Sequence, residues 1–356
     1  MDSPQRYFAY GSNMATTQMR ERCPSAANPL PAVLADHDWL INDRGVATIE
    51  PAAGRSVHGV VWELAACDLV ALDRFEGAPR RYARTTVTVT TAAGAVEAEV
   101  YVDPRVEPGP ARPAYLEGII AAAAEHALPD RWQQSLARWG LPFPTQLDEP
   151  VSPAPATLAE LLQRPGVCEE VMLRSAFGFM AIHGGALEAM TDVIARRAAD
   201  AAGASCYAVI HPDAERHHLS STLFRPAESE ALAGFLEHVE VVVSVHGYGR
   251  RGRWTQMLAG GTNRDLAIHV AAHVAAALPG YDIVTDLDAI PSALRGMRVD
   301  NPVNLPSAGG VQLELPPRVR GQSPRSPLPG HDGLSPVTHD LIGALAAAAA
   351  SWPLAD

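Results

Sequence analysis

Along the first 140 residues, short apolar runs of period two are separated by turn residues and by stretches of helical period. The run RYFAYGS (Arg6–Ser12) is aromatic and apolar and breaks at Gly11. VHGVVWEL (Val57–Leu64), TTVTVTT (Thr85–Thr91) and VEAEVYV (Val96–Val102) read as strands. CDLVALDRFEG (Cys67–Gly77) reads as a helix, and Pro113–Trp139 as two helices broken near Pro129. Gly140–Leu158 then carries five prolines in 19 residues, which by composition is a linker.

Beyond it a strand–helix alternation restarts. GFMAIHGG is a strand ending at Gly184, LEAMTDVIARRAADAAG (Leu187–Gly203) a helix, SCYAVIHP (Ser205–Pro212) a short strand and ESEALAGFLEHV (Glu228–Val239) a helix. VEVVVSVHG (Val239–Gly247) is nearly all apolar, as expected of a central strand buried on both faces. A helix over Asn263–Leu278 and a strand at GVQLELP (Gly310–Pro316) follow, and Leu341–Trp352 reads as a buried or docking C-terminal helix. Strands separated by helices predict an α/β unit with a mostly parallel or mixed sheet. The expected organisation is a domain over residues 1–142, a proline-rich linker over 143–157 and a second domain over 158–356.

The length of 356 residues agrees with two domains. A net charge of -12 does not suit a protein that coats nucleic acid, although a local arginine pocket still suits a small anion. The four cysteines (Cys23, Cys67, Cys168, Cys206) show no CxxC spacing and read as reduced thiols. The start of the chain lacks a basic segment followed by an apolar run, and the last apolar stretch is too short to span a bilayer. A soluble, cytoplasmic protein with no membrane partner is expected; the oligomeric state is not legible.

In an open α/β sheet, sites gather at the carboxyl ends of strands. Three strands here end in chemistry: one in His183 with Glu188 five residues later, one in His246, and one in Glu314. Two imidazoles and a carboxylate form the ligand set of a catalytic zinc, with a further carboxylate as general base. An isolated histidine at a strand end more often packs than ligates, but a carboxylate inside VQLEL needs a partner to be buried at all. His269 and His273 stand four apart on a helix without a carboxylate partner and read as helix-surface residues.

IHGGALEAMTDVIA, HHLSSTLF, VVVSVHG, LAGGTNRDLA, DNPVNL and GGVQLELPPRVR resemble, in this order, segments of the poly-γ-glutamate hydrolases, over about residues 158–350. That resemblance implies a zinc carboxypeptidase-like fold. It implies His183, Glu188 and His246 as ligands of one Zn2+, and Glu314 as the base in zinc-assisted attack of water on a γ-amide carbonyl. The match at HHLSS suggests that His218 lines the site. Arg250 and Arg264 are candidates for gripping a substrate carboxylate, because arginine pairs with carboxylates bidentately. Arg250, Arg251 and Arg253, just after His246, could form a basic groove for a polyanion.

In the first domain, YFAYGSNM leads a strand into a turn whose successive N–H groups can accept an anion. Glu76 precedes Gly77 at a helix end, where the helix dipole disfavours negative charge and raises the carboxyl pKa, as a proton shuttle requires. YGSN, VHGVVWEL, LDRFEG, Tyr82 and PAYLEGIIAAAAEHALP resemble the γ-glutamylcyclotransferases over nearly all of residues 5–140. That resemblance implies a small β-barrel with helices, substrate held by Tyr10, Gly11, Ser12 and Asn13, and Glu76 as acid and base. Tyr82 and Tyr115 would orient a γ-glutamyl group whose α-amine attacks its own γ-carbonyl, releasing 5-oxoproline. Pro29–Gly54 matches that family only loosely, and it is the stretch that shapes the acceptor side.

Both resemblances imply cleavage of γ-glutamyl amide bonds, so the expected function is bifunctional. Two alternatives are a γ-glutamyl deprotection enzyme of a natural-product pathway, and a zinc amidase whose first domain only binds. A wholly non-catalytic pair of ligand-binding domains is disfavoured by the complete sets Glu76 and His183, Glu188, His246, Glu314.

Overall fold

The computed structural model describes residues 4–141, 155–212, 217–250 and 252–354, so most of the proline-rich stretch and Arg251 lie outside the described residues. The chain divides into two compact units, 1–143 and 144–356.

The first unit runs β1 (Gln5–Ala9), α1 (Thr16–Arg22), β2 (Ala27–Ile41), β3 (Ala47–Leu64), α2 (Ala66–Glu76), β4 (Ala83–Thr91), β5 (Gly94–Val102), α3 (Pro113–Glu125) and α4 (Asp130–Ala137). Its five strands close a barrel in the order β1-β3-β2-β4-β5. β1 pairs antiparallel with β3 and closes the barrel in parallel on β5, Tyr7 facing Glu99. Phe8, Leu40, Ile49, Val60 and Trp62 of the strands and Ile119 of α3 belong to one buried apolar core. The β2–β3 hairpin is far longer than the single strand expected at Val57–Leu64. Register shifts between Ala27 and Leu30 and between Ala35 and His37 break the alternation that would have revealed it. The backbone also turns to positive φ at Asn28 and Asp36.

The second unit runs α5 (Leu158–Leu162), β6 (Cys168–Met172), β7 (Phe177–Gly185), α6 (Thr191–Ala202), β8 (Ser205–His211), α7 (Glu230–His238), β9 (Val241–Gly247), β10 (Gln256–Ala259), α8 (Arg264–Ala277), β11 (Asp282–Val284), β12 (Gly310–Leu315) and α9 (Pro336–Ser351). The seven strands lie in the order β11-β10-β12-β9-β7-β8-β6. The sheet is mixed: β7, β8, β9 and β12 form a parallel centre, while β6 and β10 run antiparallel to their neighbours β8 and β12. Apolar side chains on both faces of β9 place it inside two cores. Val241, Val243 and Val245 join Phe177 and Phe179 against Ile194 of α6, Val270 of α8 and Leu345 of α9. Val242 joins Met180, Ile182, Tyr207 and Phe235 of α7 on the opposite face.

His269 and His273 are half-buried on α8, and each lies within hydrogen-bond distance of Ser351 Oγ, at 3.2 and 3.1 Å, tying α8 to α9. Among the described residues, no helix is long and apolar enough to cross a membrane.

Candidate active sites

In the first unit, the chain leaves β1 and turns tightly through Tyr10–Asn13. Trp39 Nε1 donates to Tyr10 O at 2.9 Å and Trp62 Nε1 donates to Asn13 O at 3.1 Å, so two indoles fix the turn from behind. The turn borders an open pocket lined by five tyrosines (Tyr7, Tyr10, Tyr82, Tyr101, Tyr115) together with Gly11, Ser12, Asn13, Ala47 and Glu76. A Cβ on Gly11 would lie 3.3 Å from Tyr115 Oη, so any larger residue narrows the cavity.

Asn13 organises the polar wall. Its amide nitrogen donates to Tyr7 Oη at 2.9 Å and to Glu76 Oε1 at 2.8 Å, while its oxygen accepts from Arg22 Nη1 at 2.7 Å and Gln18 Nε2 at 3.3 Å. Two donors on its oxygen settle which way the amide points. Burial raises the Glu76 pKa, against the Asn13 hydrogen bond and the Arg22 and Arg81 charges, which lower it. The direction agrees with the reading of the sequence, but its cause is burial rather than the helix end. Ala47 fixes two more of the tyrosines: Tyr82 Oη donates to its carbonyl at 3.4 Å and Tyr115 Oη accepts its N–H at 3.2 Å. Tyr10 Oη is spent on Tyr101 O, so Tyr10 contributes a wall rather than a hydroxyl. Tyr7, Arg22 and Tyr101 were not singled out in the sequence. Arg22 becomes legible only once α1 is seen to bring it back over Asn13.

In the second unit, a local irregularity makes the site. The four β7 residues Ala181–Gly184 face only three of β8, Ala208–Ile210. The extra residue reverses the alternation of the strand. His183, which a regular strand would point with Phe177 and Phe179 into the helix-covered core, thereby joins the face carrying His246. The chain then folds back with Glu188 N donating to His183 O at 2.8 Å, and Met190 takes φ 77° before α6 begins at Thr191. Glu188 thus lies in a turn rather than in the helix expected from Leu187.

His183, Glu188 and His246 are buried, and their donor atoms lie within 4.8 Å of one another. His183 Nδ1 lies 2.9 Å and His246 Nδ1 3.4 Å from the two oxygens of Glu188. The remaining nitrogens are occupied: His183 Nε2 faces Leu219 O at 2.9 Å and His246 Nε2 faces Ser244 Oγ at 3.0 Å. A carbonyl only accepts, so Nε2 of His183 donates to Leu219 O, and Nδ1 is the nitrogen turned towards the Glu188 carboxylate, where it would serve as a ligand with a cation between them. The donor set and its outer hydrogen bonds therefore fit a divalent ion that favours nitrogen and oxygen. Burial alone would raise the Glu188 pKa, but the two imidazoles hold it well below the usual carboxylate range.

Glu314 faces His246 in register across β12 and β9. It is buried and held by Gln312 Nε2, which donates to its Oε1 at 2.8 Å, and Asn301 Nδ2 in turn donates to Gln312 Oε1 at 2.9 Å. Burial raises the Glu314 pKa and Glu188 adds to this, against the attraction of His246. The His218 ring lies tilted against that of His183, with centroids 4.9 Å apart. Arg250 is exposed, and Arg253 donates to Gln256 Oε1 at 2.9 Å. Arg264 donates to three backbone carbonyls, those of Ala259, Gly261 and Thr285. Its guanidinium is thus committed to the chain, which is not the free fork that a carboxylate grip assumes. The sequence reading passed over Arg320, a buried guanidinium close to Glu188 and Glu314.

Comparison with known proteins agrees with this division. The family profile of the AIG2-like γ-glutamyl cyclotransferases matches residues 7–118, and that of the poly-γ-glutamate hydrolases matches residues 159–323. The γ-glutamylcyclotransferases of Homo sapiens and Bos taurus are each 34% identical over 142 residues, covering 36% of this chain and 76% of theirs. A solved bacteriophage poly-γ-glutamate hydrolase is 22% identical, covers 53% of this chain and 91% of its own, and superposes with a TM-score of 0.45. Through its first unit the chain belongs to the γ-glutamylcyclotransferase family, and it continues into a second unit that matches the poly-γ-glutamate hydrolases.

Proposed function

We propose that the chain is a bifunctional enzyme acting on γ-glutamyl amides. Residues 1–142 would cyclise a terminal γ-glutamyl group to 5-oxoproline, and residues 158–356 would hydrolyse γ-glutamyl linkages with zinc. The observation that carries this reading is the convergence of His183, Glu188 and His246 beside Glu314, a donor set with a base next to it. The first unit's part rests on its family and on the Asn13–Glu76 hydrogen bond.

In the first site, the α-amine of the substrate forms a bond to its own γ-carbonyl carbon as the γ-amide C–N bond breaks. Glu76 takes the amine proton and returns it to the departing nitrogen, held in place by Asn13. Reaction within one molecule, on a five-membered path, removes the entropy of bringing two partners together. Tyr82 and Tyr115, fixed on Ala47, limit how the glutamyl group lies.

In the second site, His183, Glu188 and His246 would hold a zinc ion, which would polarise the amide carbonyl and acidify water. Glu314 accepts the proton of the attacking water and delivers one to the leaving nitrogen. Gln312 occupies Oε1 of Glu314, which leaves Oε2 for that transfer. Gln312→Ala removes a hydrogen bond to a charged group, a loss of about 1.5–3 kcal/mol where fully expressed. We expect kcat/KM for hydrolysis to fall about 10- to 100-fold with one zinc per chain retained, read by kinetics alongside metal analysis.

The two reactions form a sequence. Each cut in a γ-linked glutamyl chain leaves a new glutamate with a free α-amine and a γ-carbonyl still in amide linkage, which is the form that cyclises. An N-acetylated γ-linked glutamyl oligomer tests this, because its blocked amine cannot start cyclisation. The intact enzyme is expected to release 5-oxoproline from it, Glu314→Gln to release none, and Glu76→Gln to shorten it without 5-oxoproline. An untouched oligomer with active cyclisation of small γ-glutamyl amines would instead favour a deprotection enzyme. Shortening without 5-oxoproline from any γ-glutamyl amine would make the first unit a binding module.

A further inference from the structure

Arg320 lies in the turn that follows β12, and it is buried, 7% exposed. A buried guanidinium is costly unless its charge and donors are matched. Here the charge is matched by Glu188 and Glu314, both close enough to act on it. The donors go elsewhere: Nη1 donates to Ala189 O at 2.6 Å and Nε to Leu315 O at 3.2 Å. The guanidinium also lies directly against Gly247, where a Cβ would come 2.7 Å from Arg320 Cζ and 2.9 Å from Nη1.

Ala189, Leu315 and Gly247 each immediately follow one site residue, namely Glu188, Glu314 and His246. A single side chain therefore touches the residue after the turn carboxylate, the residue after the base and the residue after the second imidazole. These three segments are far apart in sequence. Gly247 N also donates to Glu188 Oε2 at 2.7 Å, so the backbone braced by Arg320 is itself bonded to a candidate ligand.

We propose that Arg320 is the positioning residue that fixes Glu188, His246 and Glu314 relative to one another, and so sets the affinity of the site for its metal ion. This rests on the assignment of His183, Glu188 and His246 as ligands. Two parts of its design matter. The planar fork reaches two carbonyls at once, which a lysine ammonium on a single stem does not reproduce. The bare Gly247 leaves the space that the fork occupies.

The experiment measures zinc affinity by competition with a chromophoric chelator, using the full-length chain. Arg320→Met is expected to weaken zinc binding about 10- to 100-fold, the range for partners of metal ligands. Arg320→Lys, which keeps charge and loses the fork, is expected to stay nearer to Arg320→Met than to the unaltered protein. Gly247→Ala, at a position without positive φ, is expected to weaken zinc by pushing the guanidinium away, and to add little when Arg320 is already Met. Unchanged affinity in a folded Arg320→Met overturns the proposal. If Arg320→Met does not fold, Gly247→Ala combined with Arg320→Lys decides: additive losses overturn it, and losses that fail to add support it. Absence of zinc binding in the unaltered protein would instead sink the ligand assignment, a distinguishable failure.

Discussion

Glu76→Gln is expected to lower 5-oxoproline release from a γ-glutamyl amine by about 10²- to 10⁴-fold, the usual worth of a positioned acid–base group. Glutamine keeps the shape and still accepts the Asn13 hydrogen bond, so a loss of that size reports the missing proton transfer. The pH dependence gives a second reading. Burial raises the Glu76 pKa above its ordinary value, and the base works only when ionised, so the acid limb of kcat/KM lies at higher pH than an ordinary carboxylate would give. Arg22 lowers that pKa, so Arg22→Met moves the limb to still higher pH. Stability follows the opposite sign. A folded pKa raised above the unfolded one contributes stability at pH below the unfolded value, and that contribution is lost as pH rises through the folded value. Glu76→Gln therefore melts at a higher temperature than the unaltered protein at pH 7, and the difference closes in acid. Cyclisation that survives Glu76→Gln would remove this carboxylate from the chemistry.

The parts of the molecule that follow simple periods were legible in the sequence. The runs of β7, β8, β9 and β12 stand out as nearly continuous apolar stretches, because burial on both faces leaves little room for polar residues, and the helices between them show their own period. The β2–β3 hairpin did not, because its register shifts spoil the alternation. The same physics hid how the second site is assembled. His183 reaches the face of His246 only through the extra residue in β7, and a bulge has no period to detect. Glu188 read as part of a helix because its neighbours have helical spacing, yet its N–H closes a turn on His183 O. Arg22 and Arg320 were missed for a related reason. Each acts through partners outside its own element, Asn13 and Glu76 for the first, and Ala189 and Gly247 for the second. The Glu76 pKa was read in the right direction from the helix end, although the burial that dominates it depends on packing around the whole cavity.

Removal of zinc is expected to abolish shortening of the N-acetylated γ-linked oligomer while leaving 5-oxoproline release from small γ-glutamyl amines unchanged. No residue of the first site belongs to the donor set, which lies in the second unit alone. Glu188→Gln tests the same point within the chain. Glutamine keeps an acceptor for Gly247 N but removes the negative charge between two buried imidazoles. That charge favours a cation at the site and stabilises His183 and His246 together, so its loss should cost both metal and hydrolysis. Zinc added at about 1,000 times its dissociation constant should stabilise the unaltered protein by about 4.1 kcal/mol, seen as an upward shift of one melting transition. The shift should be absent in Glu188→Gln. Restoration of hydrolysis by zinc after chelation would separate metal dependence from damage to the protein. Hydrolysis that continues undiminished in fully metal-free enzyme would leave Glu314 to activate water without electrophilic help at the carbonyl. An unactivated amide then has no counter-charge for its developing oxyanion, so the second unit would need a different account.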